Sequence, residues 1–246
     1  MNRLSIVIPA FNEERFIGTL LERIGRVDLA RLGVEPEVIV VDDCSRDRTA
    51  AIAEERGAIV VRQPVNGGKG RAVRAGMARA SGDFLIIQDA DLEYDPEDYL
   101  PMLEALLAGR GDAIYGSRYL PHADRGTLYN LVTGKHRGQS WGAYLGGRSL
   151  SLVAFAATGR FLTDTVTALK LFRREVLAGL SLETSGFELD HEITAKILAR
   201  GWRIAEVPIR YEPRSRAEGK KIGLRDWFVG TRTFMRFRRR GFGRRG

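Results

Sequence analysis

The chain has 246 residues, of which 44% are hydrophobic and 28% charged, a composition typical of a globular protein with its own core. The single cysteine, Cys44, excludes an internal disulfide framework, and no apolar stretch reaches the ~18 residues of a membrane span or forms a secretory signal. The net charge of +8 is concentrated in residues 210–246, which carry 13 basic and 3 acidic side chains, so the preceding residues are nearly neutral.

The first half of the sequence alternates short apolar strands with amphipathic helices. We predict strands at residues 4–9, 37–41, 58–61, 83–88 and 112–116, with helices between them, and we expect Asn12 to cap the first helix. This alternation predicts an α/β fold with a Rossmann-like, mostly parallel sheet and helices on both faces. Because ligands of such sheets bind beyond the carboxyl ends of the strands, polar residues that follow strands should meet at one edge.

The second half is less regular. We predict a long loop at residues 119–137, a helix at 141–161, strands at 169–172 and 203–211, and a helix at 188–199. The expected organisation is one domain over residues 1–223 followed by a basic amphipathic C-terminal tail at 224–246.

The tail combines aromatic and basic residues at helical spacing. Trp227, Phe228 and Phe234 are interleaved with arginines, and residues 232–245 contain seven arginines. A basic amphipathic helix can lie on an anionic membrane surface, where each basic residue contributes about 1 kcal/mol. We therefore expect peripheral attachment to the cytoplasmic face of a membrane. The alternatives are a helix docked on the protein's own body and a surface for single-stranded nucleic acid.

Two common nucleotide-binding motifs are excluded. The turn after the first strand contains Glu13 and Glu14 and no glycine, whereas a dinucleotide fingerprint needs three glycines there. Lys69 is followed by Gly70, where a P-loop requires serine or threonine. His122, His136 and His191 lack the spacing of metal ligands and receive no role.

The sharpest chemical signal is Asp89-Ala90-Asp91, directly after a buried strand. Carboxylates spaced in this way suit Mg²⁺ or Mn²⁺, which often share their oxygen ligands with substrate phosphates. Glu93 is a possible third ligand. At the end of another strand, one carboxylate of the pair Asp42-Asp43 would accept hydrogen bonds from a nucleobase or ribose, and the alternative is that an aspartate of this pair caps the next helix. The glycine turn at 66–70 would let the backbone approach a ligand, and Lys69 or Arg71 would meet a phosphate.

In their order along the chain, the motifs at residues 5–14, 41–49, 66–70 and 88–93 resemble those of the inverting family 2 glycosyltransferases of GT-A fold. Later motifs, at residues 116–119, 163–165, 169–174, 187–190 and 218–222, are similar to those of the polyprenyl-phosphate sugar synthases, the dolichol-phosphate mannose synthase group. The resemblance covers roughly residues 4–226.

The resemblance implies roles for the residues that match the family's motifs. The nucleotide-sugar site would comprise Pro9, Ala10, Asn12, Glu14, Asp42, Asp89 and Ala90, to which we add Lys69. The metal ligands would be Asp89, Asp91 and Glu93. The acceptor phosphate would contact Arg118, Arg137, Arg214 and Lys220. Asp164, Arg118 and Asp91 would form the catalytic centre.

The implied reaction transfers one sugar from GDP-mannose or UDP-glucose to a polyprenyl phosphate. Because the phosphate oxygen is already an anion, positioning and charge balance would provide most of the rate, and Asp164 would orient groups. An alternative is a hydroxyl acceptor on a glycan or glycolipid, which would require Asp164 or Asp190 as a base. A more remote alternative is a non-catalytic nucleic-acid-binding protein. We expect no nucleic acid partner, because the acidic clusters would repel its backbone.

Overall fold

The computed structural model describes residues 1–120, 141–212 and 224–237, and the side chains of 141–143 and 224–226 are not part of that description. Seven strands form one mixed sheet in the order β3-β2-β1-β4-β6-β5-β7. They are β1 (Asn2–Ala10), β2 (Val34–Asp42), β3 (Ile59–Arg62), β4 (Phe84–Ile87), β5 (Ala113–Ser117), β6 (Lys170–Arg173) and β7 (Ile204–Pro208). The prediction of an α/β fold with a mostly parallel sheet is confirmed.

The helices cover both faces of this sheet. They are α1 (Ile17–Arg26), α2 (Thr49–Glu55), α3 (Lys69–Arg79), α4 (Tyr99–Leu107), α5 (Trp141–Thr158), α6 (Arg174–Ala178), α7 (Leu189–Ala199) and α8 (Leu224–Phe237), with short 3-10 turns at Leu29–Leu32 and Pro96–Asp98. The central strands are apolar on both faces, as expected for strands buried between two layers of helices. One core lies on the α1 and α4 face, and a second lies on the α3 and α7 face.

One strand departs from the parallel pattern. β6 runs antiparallel to both β4 and β5, whereas β1, β2, β3 and β4 are mutually parallel and β5 pairs in parallel with β7. Since β6 is antiparallel to both of its neighbours, β4 and β5 point in the same direction. Their carboxyl ends therefore lie at the same edge of the sheet, where β6 begins.

Helix α8 belongs to the segment predicted to be a membrane-binding tail, and it docks on the body of the protein. Phe234 is fully buried against Ala154 of α5 and Ala195 of α7. The indole of Trp227 donates a hydrogen bond to Ser149 Oγ at 2.8 Å. The helix face that carries Trp227 and Phe234 therefore packs on the protein body, while the side chain of Phe228, outside that face, is 65% exposed.

The prediction that Asn12 caps the first helix is wrong. Helix α1 begins only at Ile17, and Asn12 has a left-handed backbone with φ of 55°. Its side-chain oxygen accepts a hydrogen bond from Arg46 N at 2.8 Å, and its own N–H donates to Ser45 Oγ at 2.9 Å. Asn12 therefore joins the loop after β1 to the loop after β2 and does not cap the helix, and asparagine is one of the residues that adopt a left-handed backbone most readily.

Candidate active site

Most of the residues singled out from the sequence lie at the edge formed by the carboxyl ends of β1, β2, β4 and β5. Ala10 and Asp42 are the last residues of β1 and β2, and Asp89 follows β4. Arg118 follows β5, while Asp164 precedes β6, which starts at this edge. The topology alone therefore brings the proposed donor and acceptor residues to one side of the sheet.

The loops after β1 and β2 are tied to each other. Besides the bonds of Asn12, the Glu14 carboxylate accepts a hydrogen bond from Arg48 N at 3.1 Å, and Asp47 accepts one from Glu14 N at 3.2 Å. Asp42 accepts from Ser45 N at 3.3 Å. These contacts fix the backbone around the predicted nucleotide site and leave the side chains of Asn12 and Glu14 exposed at its rim.

Asp43, next to Asp42, organises the glycine turn. Its two carboxylate oxygens accept hydrogen bonds from Gly67 N and Gly68 N, each at 2.8 Å. The amides of Gly70 and Arg71 donate to the carbonyl of Ser185 instead. The amides of Gly67, Gly68 and Gly70 are thus bonded within the chain, so the three glycines of this turn do not direct their N–H groups at a ligand.

The glycines of this turn are required for packing against residues 184–186. A Cβ on Gly70 would lie 2.7 Å from the Thr184 carbonyl oxygen, and one on Gly68 would lie 2.7 Å from the Ser185 oxygen. Gly68 also has a positive φ of 83°, which side-chain-bearing residues rarely adopt. The sequence indicated a close approach of this backbone to a ligand, and in the structure the backbone approaches residues 184–186 of the same chain. This packing places Lys69 at the start of α3.

Lys69 connects the metal-type carboxylates to helix α7. Its ammonium nitrogen lies 2.7 Å from Asp89 Oδ1 and 3.4 Å from Asp190 Oδ2. Asp190 is held in turn by Lys170, whose nitrogen lies 2.6 Å from Asp190 Oδ1 and also donates to the Thr167 carbonyl. Lys69, Lys170, Asp89 and Asp190 therefore form a largely buried network of ion pairs in which the two positive and two negative charges balance.

The neighbouring charges shift the pKa values of Lys69, Lys170 and Asp190. Burial would lower the pKa of Lys69, but Asp190 and Asp89 raise it well above its usual range. Burial lowers the pKa of Lys170, and Asp190 only partly offsets that effect. Burial would raise the pKa of Asp190, yet Lys170 and Lys69 hold it below its usual value. Asp190 is consequently a poor proton acceptor at neutral pH.

Arg118 and Asp164 form a buried bidentate ion pair. Arg118 Nε lies 2.6 Å from Asp164 Oδ2 and Nη2 lies 2.8 Å from Oδ1, while the Arg118 amide donates to Oδ2 at 3.1 Å. Asp164 is fully buried and Arg118 is 9% exposed. Burial would raise the pKa of Asp164, but Arg118 lowers it, so the carboxylate stays charged and fixes the guanidinium plane.

A second carboxylate, Glu206 of β7, holds Asp164 from behind. It accepts hydrogen bonds from Thr163 N, Thr163 Oγ1 and Asp164 N at 2.7, 2.8 and 2.9 Å. Burial raises the pKa of Glu206, and these donors partly offset that effect. Sequence reasoning missed Glu206, although a carboxylate in the middle of the apolar residues 204–209 of the predicted strand was a usable signal.

Two tyrosines connect Arg118 to the segment that follows β4. The Tyr211 hydroxyl donates to Glu93 Oε2 at 2.9 Å, and the Arg118 guanidinium lies over the Tyr211 ring at 5.0 Å. Tyr94 packs against Tyr211 with ring centroids 5.3 Å apart. Glu93, Tyr211, Arg118 and Asp164 thus form a continuous series of contacts. These tyrosines could not be identified from the sequence pattern, and they meet because residues 94 and 211 form an isolated β-bridge.

The donor set suits a divalent cation shared with a substrate. Among the residues that the structure describes, no three His, Cys, Asp or Glu side chains are grouped as a preformed metal site. Asp89 and Asp91 nevertheless offer carboxylate oxygens after β4, and Mg²⁺ is usually bound by one or two carboxylates together with substrate phosphates. The residues therefore fit a metal that binds with a diphosphate, with Glu93 engaged by Tyr211.

Three predicted acceptor-side residues, Arg137, Arg214 and Lys220, lie outside the described residues, as does most of the loop predicted at 119–137. Glu212 is the last described residue before position 213, and its amide donates a hydrogen bond to the Glu93 carbonyl oxygen at 2.9 Å. In the part of the chain that the structure covers, no helix is long and apolar enough to cross a membrane.

Comparison with known proteins agrees with this arrangement. The sequence profile of glycosyl transferase family 2 matches residues 5–179. A dolichol-phosphate mannosyltransferase of Pyrococcus furiosus is 33% identical over 90% of this chain, which spans 60% of that protein's length. A dolichyl-phosphate hexose transferase of Haloferax volcanii is 31% identical, with 86% of this chain and 84% of that protein covered.

The fold is also similar to that of a solved glycosyltransferase. Glucosyl-3-phosphoglycerate synthase from Mycobacterium tuberculosis, in complex with Mn²⁺, UDP and glucosyl-3-phosphoglycerate, superposes with a TM-score of 0.65 at 26% identity. The match covers 88% of this chain and 74% of the other. The predicted GT-A fold is thereby confirmed.

Proposed function

The chain belongs to glycosyl transferase family 2 and is a glycosyltransferase, and from that premise we propose that it transfers one sugar from a nucleotide sugar to a polyprenyl phosphate. Its relatives include transferases named for dolichyl-phosphate acceptors. The phosphate oxygen of the lipid attacks the anomeric carbon of the sugar, and the bond from that carbon to the diphosphate breaks. The products are a sugar-phosphate lipid and a nucleoside diphosphate.

The observation that carries this proposal is the buried Arg118–Asp164 pair beside the donor carboxylates. An arginine held by a bidentate carboxylate presents fixed N–H donors, and such donors recognise a phosphate well. Through Tyr211 the pair is in contact with Glu93, two residues after Asp91. An anion bound by Arg118 would therefore lie near a donor bound through Asp89 and Asp91.

The carboxylates at this edge favour an acceptor that needs no base. Asp164 and Asp190, which the sequence offered as bases for a hydroxyl acceptor, both have pKa values below the usual range because of Arg118 and of Lys170 with Lys69. A carboxylate held in this way is a weak base. A phosphate oxygen is already ionised, so Arg118 and Asp164 would act by orienting it.

Donor binding rests on Asp89 and Asp91. Mg²⁺ or Mn²⁺ held by these residues would neutralise the diphosphate and stabilise it as a leaving group. Lys69 would contribute a positive charge to the same phosphates. GDP-mannose and UDP-glucose are both compatible with the proposal.

A donor panel tests this function. Purified protein is incubated with detergent-dispersed polyprenyl phosphate, Mn²⁺ or Mg²⁺, and each of several labelled nucleotide sugars, with and without EDTA. We expect label to enter the lipid fraction with one donor and to be lost when EDTA is present. Metal-dependent hydrolysis of a donor without labelled lipid would support the proposed donor site and contradict the proposal that a lipid is the acceptor.

A second candidate is transfer to a hydroxyl of a small phosphorylated acceptor. It is favoured by the solved glucosyl-3-phosphoglycerate synthase, which shares the fold at a TM-score of 0.65. In that case Arg118 would bind the acceptor's phosphate while another group removed the hydroxyl proton. Including 3-phosphoglycerate in the donor panel separates the two, because only one of the two acceptors should become labelled.

Membrane attachment is part of the proposal, and α5 is the surface that best supports it. Leu145, Leu152 and Phe155 are 59%, 60% and 47% exposed and recur at the three-, seven- and ten-residue spacing of one helix face. Phe228 of α8 is exposed as well. This apolar patch would enter the interface of the bilayer that holds the acceptor, and the arginines after residue 237 would add attraction to anionic lipid.

Vesicle flotation tests the membrane surface. We expect wild-type protein to float with vesicles containing phosphatidylglycerol, and Leu152→Glu and Phe155→Glu to remain at the bottom of the gradient. Leu107→Glu provides a matched control, because Leu107 is 40% exposed on α4, away from the patch. Equal flotation of all four proteins would reject the α5 patch as the attachment surface.

A further inference from the structure

Lys69 is the positive partner that the structure gives Asp89, one of the two carboxylates proposed to bind the metal. The two groups are 2.7 Å apart, and the Lys69 side chain is only 12% exposed. The Gly68 and Gly70 contacts with residues 184–186 fix the start of α3, so backbone packing determines the position of Lys69. An ordered ammonium therefore already neutralises Asp89.

A second acceptor is available to the same ammonium. Asp190 Oδ2 lies 3.4 Å from Lys69, and Lys170 fixes the other oxygen of Asp190 from a fully buried position. The four groups Lys69, Lys170, Asp89 and Asp190 carry no net charge together. Lys69 can thus leave Asp89 without losing every partner, because Asp190 remains beside it.

Binding of a metal ion alone to Asp89 is unfavourable, because the charges of Lys69, Lys170, Asp89 and Asp190 already balance. A divalent cation on Asp89 would add two positive charges next to a buried ammonium, where screening by water is weak. A nucleoside diphosphate brings compensating negative charge and a new acceptor for Lys69. The metal and the diphosphate should therefore bind with positive coupling that depends on Lys69.

We propose that Lys69 is a built-in counter-ion of Asp89 that competes with the divalent cation and yields the carboxylate when the diphosphate arrives. Asp190, fixed by Lys170, is the positioning residue that retains Lys69 during this exchange. The inference rests on the proposed function in one respect, the assignment of Asp89 as a metal ligand. Its consequence is that Lys69 weakens metal binding to the free protein.

Titration of Mn²⁺ followed by electron paramagnetic resonance, without nucleotide or acceptor, tests this directly. We expect Lys69→Met to bind Mn²⁺ about tenfold more tightly than wild type, since a hydrogen bond to a charged group contributes on the order of one decade or more. Asp89→Asn added to Lys69→Met should abolish that gain. Lys196→Met removes a lysine at the other end of α7, which pairs with Glu192, and should leave Mn²⁺ affinity unchanged.

Lys69→Gln provides a second uncharged variant if Lys69→Met does not fold. Mn²⁺ affinity that is unchanged or weaker in the folded variant, including binding too weak to detect, would overturn the proposal. Adding GDP or UDP should raise Mn²⁺ affinity more in wild type than in the variant, and an equal gain would also contradict it. Because no sugar or lipid is present, these results are independent of whether the proposed transfer occurs.

Discussion

Replacing Asp164 with Asn should destabilise the protein strongly through the loss of a counter-ion. Asp164 accepts three hydrogen bonds from Arg118, at 2.6, 2.8 and 3.1 Å, and both side chains are buried. Removing one partner of a buried ion pair costs roughly 3–5 kcal/mol. Because Asn keeps one oxygen acceptor, we expect about 3 kcal/mol, which lowers Tm by roughly 6–12 °C in a chain of this size.

A double-mutant cycle measures the coupling. Urea denaturation of Asp164→Asn, Arg118→Met and the double variant should give a double-variant cost that is about 2 kcal/mol smaller than the sum of the single costs. Glu55→Gln serves as a control, because its ion pair with Arg48 is exposed at both side chains and should contribute less than about 1 kcal/mol. Additive costs of the two buried substitutions would refute the argument that Asp164 acts through Arg118.

The same pair predicts a pH dependence. The pKa of Asp164 is lowered in the folded protein, so its contribution to stability is present above the unfolded pKa of ~3.9 and is lost as pH falls through the lower folded value. Asp164→Asn should therefore flatten the most acidic part of the curve of unfolding free energy against pH. An unchanged acid limb in this variant would contradict the assignment.

Three further outcomes are expected. Gly70→Ala should cost roughly 1–3 kcal/mol in chemical denaturation, because its Cβ would overlap the Ser185 backbone, whereas Gly25→Ala, with nothing within 4 Å, should be neutral or stabilising. Burial lowers the pKa of His191 to about 4, so stability should fall by up to about 3 kcal/mol between pH 6.5 and 4, and His191→Leu should remove that slope. Asp91→Ala should reduce metal-dependent sugar transfer at least about a hundredfold, measured as labelled lipid, and an unaffected rate would exclude Asp91 as a metal ligand.

The fold was largely predictable because its strands are apolar and its helices amphipathic. The predicted strand at 37–41 lies within β2, and the helix predicted at 188–199 is α7 within a residue. The antiparallel direction of β6 was not predictable, since the apolar pattern of residues 169–172 indicates a strand but not its direction. Strand direction depends on a long connection, much of which lies outside the described residues.

The candidate site was predictable where a residue follows a strand. The positions of Asp42, Asp89 and Arg118 follow from the rule that ligands bind at the carboxyl ends of parallel strands, whereas the phosphate role of Arg118 came from the family resemblance. The supporting contacts were not predictable, because Glu206 and Tyr211 reach the site from far along the chain. Pairings at such separations leave no local periodicity in the sequence.

The docking of α8 shows why an amphipathic pattern has two interpretations. The spacing of Trp227 and Phe234 indicated an apolar face but not what would cover it. The face packs on α5 and α7, with Phe234 beside His191 at 5.1 Å between ring centroids. Helical periodicity predicts that a face is buried, while the identity of its partner depends on the tertiary structure.

The central claim is that the acceptor is recognised as a phosphate. The most direct measurement compares a polyprenyl phosphate with the polyprenol of the same chain length, using the donor found active in the panel and the same metal and detergent. We predict that label enters only the phosphorylated lipid and that Arg118→Lys, which loses the planar bidentate geometry, reduces that transfer. Comparable labelling of the polyprenol, or labelling of neither lipid by an enzyme that consumes the donor, would contradict the account.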